Sequence, residues 1–96
     1  MNNILNQIVT CLSASAGVVK VILFGSRAIG NNSPRSDYDI AFETIDLTDQ
    51  EVNVLIANTL DYVETLHNID IIHINSITNS QLRHNIQTQG KLLYQK

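Results

Sequence analysis

The stretch "LFGSRAIGNNSPRSDYDIAF", Leu23 to Phe42, decides how this chain folds. It leaves an apolar run, breaks at Gly25-Ser26, passes through the turn formers Gly30, Asn31, Asn32, Ser33 and Pro34, and resumes at Asp37. The run before the break, "VVKVILF" from Val18 to Phe24, is short, β-branched and nearly all apolar, which predicts a strand covered on both faces. "DYDIAFE" then alternates. Asp37, Asp39, Ala41 and Glu43 share one face of a strand, and Tyr38, Ile40 and Phe42 share the other. A short helical turn fits directly after Ser26.

The flanking segments complete a pattern. Asn2 or Asn3 caps a first helix whose Ile4, Leu5, Ile8, Val9 and Leu12 form one apolar stripe, with Gly17 as its stop. "TDQE", Thr48 to Glu51, matches a capping box and opens a helix with Val52, Leu55, Ile56, Leu60 and Val63 on one stripe. "NIDIIHI", Asn68 to Ile74, predicts a third strand. "TNSQ", Thr78 to Gln81, matches a second capping box, ahead of a short helix carrying Leu82 and Ile86. Gly90 ends that helix, and "KLLY" predicts a last strand. The order α-β-β-α-β-α-β gives an α+β fold: a small mixed β-sheet with helices packed on one face. The 96 residues are expected to form a single domain, 1–96.

Composition excludes several function classes. Apolar residues make up 44% and charged residues 16%, a globular balance. With a net charge of -3 and six Lys plus Arg, strong autonomous binding to nucleic acid is not expected. Cys11 is the lone cysteine, so no disulfide framework or cysteine zinc site forms within one chain. The polar N-terminus does not read as a signal peptide, and no apolar run approaches the roughly 18 residues of a membrane span. A cytoplasmic protein is expected.

The aspartates carry the chemistry. Residues two apart on a strand point the same way, about 6–7 Å apart. Two carboxylates at about 6 Å repel by roughly 3 kcal/mol at an effective dielectric of about 20. Asp70, on the third strand, adds to the repulsion. Such a cluster calls for a cation, and hard oxygen ligands select Mg²⁺ or Mn²⁺, which bridge to substrate phosphates. Gly25 allows a close approach to its backbone, and a helical turn after it aims N–H groups and the Ser26 hydroxyl at an anion. Taken singly, Gly-Ser is a turn and Asp-x-Asp is the mouth of a strand. Jointly, Gly-Ser, ten residues, then Asp-x-Asp arises by composition roughly once in a thousand chains of this length.

Gly25-Ser26 and Asp37-Tyr38-Asp39 at this spacing resemble the signature of the DNA polymerase β-type nucleotidyltransferase superfamily. "GSRAIG" and "SDYDIAF" resemble its minimal branch, the MNT antitoxins encoded beside HEPN toxins. "IDII", Ile69 to Ile72, resembles the family's third-aspartate strand, and "LRHNIQTQGKLLY" its closing helix and strand. The resemblance implies a polymerase β-like nucleotidyltransferase core. It implies that Asp37 and Asp39 bind two Mg²⁺ ions, that Asp70 binds one of them and helps deprotonate the acceptor hydroxyl, and that Gly25, Ser26 and Arg27 contact the triphosphate of ATP. Arg27 has a second reading, as a solvated loop residue. Many MNT sequences carry a further basic residue where Ile29 stands, so fewer phosphate contacts are expected here.

The implied activity is transfer of AMP from ATP to a hydroxyl, a tyrosine by resemblance, of a cognate HEPN ribonuclease toxin. The lack of an acceptor-binding domain fits a protein acceptor, in an oligomer or hetero-oligomer. Two alternatives stand beside it: an idle antitoxin that neutralises its toxin by binding, and transfer to a small hydroxylated molecule. His67, His73 and His84 lack a metal-ligand spacing. His73 lies opposite Asp70 in strand phase and reads as a packed or edge histidine.

Overall fold

A computed structural model describes residues 1–96. Its elements are α1 (Asn3–Ser13), β1 (Val18–Phe24), α2 (Ser26–Ile29), β2 (Tyr38–Thr44), α3 (Asp49–Tyr62), β3 (Ile69–His73), a 3₁₀ turn (Ile74–Ser76), α4 (Ser80–Gln89) and β4 (Lys91–Gln95). The four strands form one mixed sheet in the order β3-β2-β1-β4. β1 runs antiparallel to both β2 and β4, while β2 and β3 are parallel. The parallel pair is joined through α3, as a crossover between parallel strands requires. No helix is long and apolar enough to cross a membrane.

Strand alternation sorts the core into two layers. Val21 and Leu23 of β1 and Tyr38, Ile40 and Phe42 of β2 pack with Leu5, Ile8 and Leu12 of α1 and with Val52 of α3. The opposite face carries Ala41, Ile22, Phe24 and Ile72, and packs against Leu82 and Ile86 of α4 and against Ile74. The mixed sheet is as expected. One detail differs: α1 and α3 share a face, but α4 covers part of the other. This second layer explains why β1 is apolar on both sides.

The caps show how locally these elements are written. Asn2 Oδ1 accepts from the Leu5 N–H at 2.9 Å and starts α1. Thr48 and Glu51 form the reciprocal box: the Glu51 N–H donates to Thr48 Oγ1 at 3.1 Å, and the Thr48 N–H donates to Glu51 Oε1 at 3.0 Å. The second expected box does not form. Asn79, not Thr78, caps α4 by accepting from the Leu82 N–H at 3.0 Å. Asn is as good a cap as Thr, so the helix starts one residue later.

Two further expectations shift. α1 ends at Ser13, well short of Gly17, and a β-carbon on Gly17 would lie 2.6 Å from Leu47 Cγ. Close packing under Leu47, rather than a helix stop, accounts for that glycine. On α3, Leu60 is exposed and Thr59 is wholly buried. Thr59 meets the cost of a buried hydroxyl by donating to the Leu55 carbonyl at 2.8 Å. The core-facing stripe therefore runs Val52, Leu55, Ile56, Thr59 and Val63.

Candidate active site

The break at Gly25 is where β1 turns into α2. Gly25 has φ +75° and ψ -157°, a conformation that glycine adopts without steric penalty. Its carbonyl accepts from the Ala28 and Ile29 N–H groups at 3.0 and 3.3 Å. Ser26 and Arg27 open α2, so their own N–H groups have no carbonyl within so short a helix. A β-carbon on Gly25 would overlap Asp39 Oδ2 and lie 3.1 Å from Asp39 Cγ. The Gly-Ser turn and the strand carboxylate are therefore in direct apposition.

The parallel register places Asp70 of β3 directly beside Asp39 of β2. Neighbouring strands lie about 4.8 Å apart and paired residues point to the same face. Asp39 is half-buried and Asp70 is exposed. Burial, then the Asp70 charge, then the Asp37 charge all push the Asp39 carboxyl above the usual carboxylate range, and Asp70 lies within its hydrogen-bonding reach. Asp37 sits one residue ahead of β2, exposed at the end of the loop.

The expected carboxylates thus come to one end of one sheet face, but not as a closed cage. No three His, Cys, Asp or Glu side chains converge closely enough to hold a metal ion alone. Mg²⁺ typically takes one or two carboxylates and completes its shell with water and substrate phosphates. Burial and the like charges beside it raise the Asp39 carboxyl, a repulsion that such an ion would relieve.

Arg27 is placed differently. Its guanidinium carbon lies 4.0 Å from the Tyr38 ring centroid, and Tyr38 belongs to the α1 side of the sheet. The edge of His67 meets that ring at 5.4 Å, and Asn2 Nδ2 donates to the Tyr38 hydroxyl at 3.1 Å. Ser26 is half-buried and adjoins Gly25. A cavity of about 270 Å³, lined by Arg35, Asp37, Leu66, His67 and Asn68, adjoins Asp37. Sequence reading did not single out Arg35 and His67 for that place. Only the β2–β3 register brings the residues before Asp70 beside Asp37.

His73 lies at the other end of β3. Its Nε2 is 2.8 Å from Thr44 Oγ1 and its Nδ1 is 2.8 Å from Ser76 Oγ. It stacks at a tilt on Phe42, with centroids 5.3 Å apart. It is a packed histidine, as its phase indicates.

Residues 6–96 match the family model described as polymerase beta, nucleotidyltransferase.

The chain belongs to this nucleotidyltransferase family.

Its structural neighbours include MNT antitoxins in complex with HEPN toxins. A crystal structure of a toxin–antitoxin with AMP-PNP matches with a TM-score of 0.71 at 28% identity, over 96% of this chain and 73% of the other. The MNT antitoxin in complex with the tri-AMPylated HEPN toxin of Shewanella oneidensis matches with a TM-score of 0.64 at 26% identity, over 96% of this chain and 70% of the other. A nucleotidyltransferase-like structure from Sulfolobus solfataricus shares the fold at 18% identity, with a TM-score of 0.62 over 97% of this chain and 81% of the other. No curated protein matches the sequence at a significant level.

Proposed function

We propose that this chain transfers AMP from ATP to a hydroxyl of a cognate HEPN toxin, a tyrosine being the favoured acceptor, and so acts as its antitoxin. The observation that carries this reading is the apposition of Gly25 and Asp39, with Asp70 in register beside Asp39. That apposition supports a site for triphosphate oxygens beside a site for a hard cation. The neighbour solved with AMP-PNP and the neighbour in complex with an AMPylated toxin support the same chemistry.

In this proposal Asp39, Asp70 and Asp37 would hold two Mg²⁺ ions together with substrate phosphates and water. When bound, the ions neutralise triphosphate charge and favour ionisation of the acceptor hydroxyl. The Gly25-Ser26 turn contributes backbone N–H groups and the Ser26 hydroxyl to the β- and γ-phosphates, and the glycine keeps the approach open. The acceptor oxygen forms a bond to the α-phosphorus, the bond to the bridging oxygen breaks, and pyrophosphate leaves with that electron pair. The acceptor proton passes to a carboxylate, and Asp70, exposed beside Asp39, is placed to take it. Holding the reactants in line is most of what such a site does.

The test is transfer of label from α-labelled ATP, with Mg²⁺, to the product of the adjacent gene. Wild type should label the partner, and an Asp37→Ala, Asp39→Ala double variant that remains folded should not. Equal silencing of the partner by both, without label, would identify a binding antitoxin instead.

A further inference from the structure

Arg27 holds the loop that delivers Asp37. Its Nε and Nη2 both donate to the Ser36 carbonyl, at 3.1 and 2.9 Å, and Nη2 also donates to the Pro34 carbonyl at 3.3 Å. The guanidinium carbon at the same time lies over the Tyr38 ring, 4.0 Å from its centroid. Ser36 and Tyr38 are the two chain neighbours of Asp37.

The rest of the loop bonds mainly to itself. The Ser33 N–H donates to Ser36 Oγ, the Arg35 N–H to Ser33 Oγ, and the Ser36 N–H to the Ser33 carbonyl. Its backbone tie to α2 is at the far end, from the Asn31 N–H to the Ser26 carbonyl. Beyond the loop, the Tyr38 N–H donates to the Asn68 carbonyl. Between those two ties, Arg27 is the side chain that fixes the loop to the body of the protein.

We propose that Arg27 is a positioning residue: its fork on the Ser36 carbonyl and its contact with Tyr38 set where the Asp37 carboxylate stands relative to Asp39, without touching the nucleotide. This rests on the nucleotidyl-transfer reading of the site. A planar fork with two donors on one carbonyl is something that a lysine ammonium, a single compact charge, does not reproduce. Lysine would preserve the charge needed for a phosphate contact and lose the grip on the loop. The two roles therefore separate on one substitution.

The experiment compares wild type with Arg27→Lys and Arg27→Gln, each checked for a cooperative thermal melt. Amide hydrogen exchange over residues 33–37 is read first, on the chain without nucleotide. Steady-state transfer to the partner is read second, with Mg²⁺ and ATP varied separately. Both variants should exchange faster over that segment. Their kcat should fall on the order of tenfold to a hundredfold, as expected when a reacting group is misplaced by about 1 Å. The Mg²⁺ concentration for half-maximal rate should rise, and KM for ATP should change little. Arg27→Lys should be no better than Arg27→Gln.

Unchanged exchange overturns the tether. Recovery by lysine, or a rise in KM for ATP with kcat and Mg²⁺ dependence intact, overturns positioning in favour of a phosphate contact. If exchange quickens but wild type transfers nothing, the transfer reading fails: the tether stands and its catalytic consequence falls.

Discussion

Asp39 fills the space that a side chain on Gly25 would need: a β-carbon there would overlap Oδ2 and lie 3.1 Å from Cγ. Gly25 directly follows β1 and Asp39 lies on β2, the two strands pairing antiparallel with Phe24 opposite Asp39. The glycine is required twice, by its φ of +75° and by the carboxylate against it.

Gly25→Ala should therefore push Asp39 out of place and strain the turn. Transfer is expected to drop by about a hundredfold or more, with a stability loss of roughly 1–3 kcal/mol from the left-handed backbone. A labelling assay beside a urea titration measures both. A wild-type rate in the alanine variant would show that the glycine and the carboxylate do not work together.

Asp39→Asn should abolish transfer yet stabilise the free chain near neutral pH. The Asp39 carboxyl is raised by burial and by Asp70 and Asp37. A raised carboxyl binds its proton more tightly folded than unfolded. Its ionisation therefore costs stability as pH rises from the unfolded value, about 3.9, through the folded one. Above that window the asparagine variant should be the more stable, and below it the difference should vanish. Urea midpoints across pH test the sign.

His73 gives a slope of the opposite sense. Burial lowers its pKa, against a smaller opposing effect from Asp49. The unfolded chain takes up the proton first, so stability falls as pH drops through the unfolded value, about 6.5, until the folded imidazole also protonates. His73→Gln should flatten that part of the stability profile. An unchanged slope would assign it to another group.

Asn75 extends the sheet with a side chain. It accepts from the Thr44 N–H and donates to the Thr44 carbonyl, both at 3.0 Å. Asn75→Ala leaves both backbone groups unpaired and should cost about 1–3 kcal/mol. The site lies at the other end of the strands, so kcat should hold. Thermal melts and transfer rates together test this.

Much of the fold was legible because its signals are local. Strand alternation in "DYDIAFE" put Tyr38 in the core and Asp39 on the other face, and the Thr48–Glu51 box placed the start of α3. Thr59 was missed because a buried threonine is decided by what packs over it. The cap of α4 moved from Thr78 to Asn79 because the adjacent asparagine is at least as competent a cap.

The site divides along the same line. Residue types and spacing along one chain were enough to single out Gly25, Ser26, Asp37, Asp39 and Asp70, since glycine freedom and carboxylate repulsion follow from covalent structure. The pairing of Asp39 with Asp70 depends on the β2–β3 register, a long-range choice set by burial of Ile69 and Ile71 against the α1 side. The place of Arg27 was likewise settled in three dimensions. A guanidinium next to the Gly25-Ser26 turn suits either an anion or a carbonyl, and the folded loop put the Ser36 carbonyl and the Tyr38 ring within its reach.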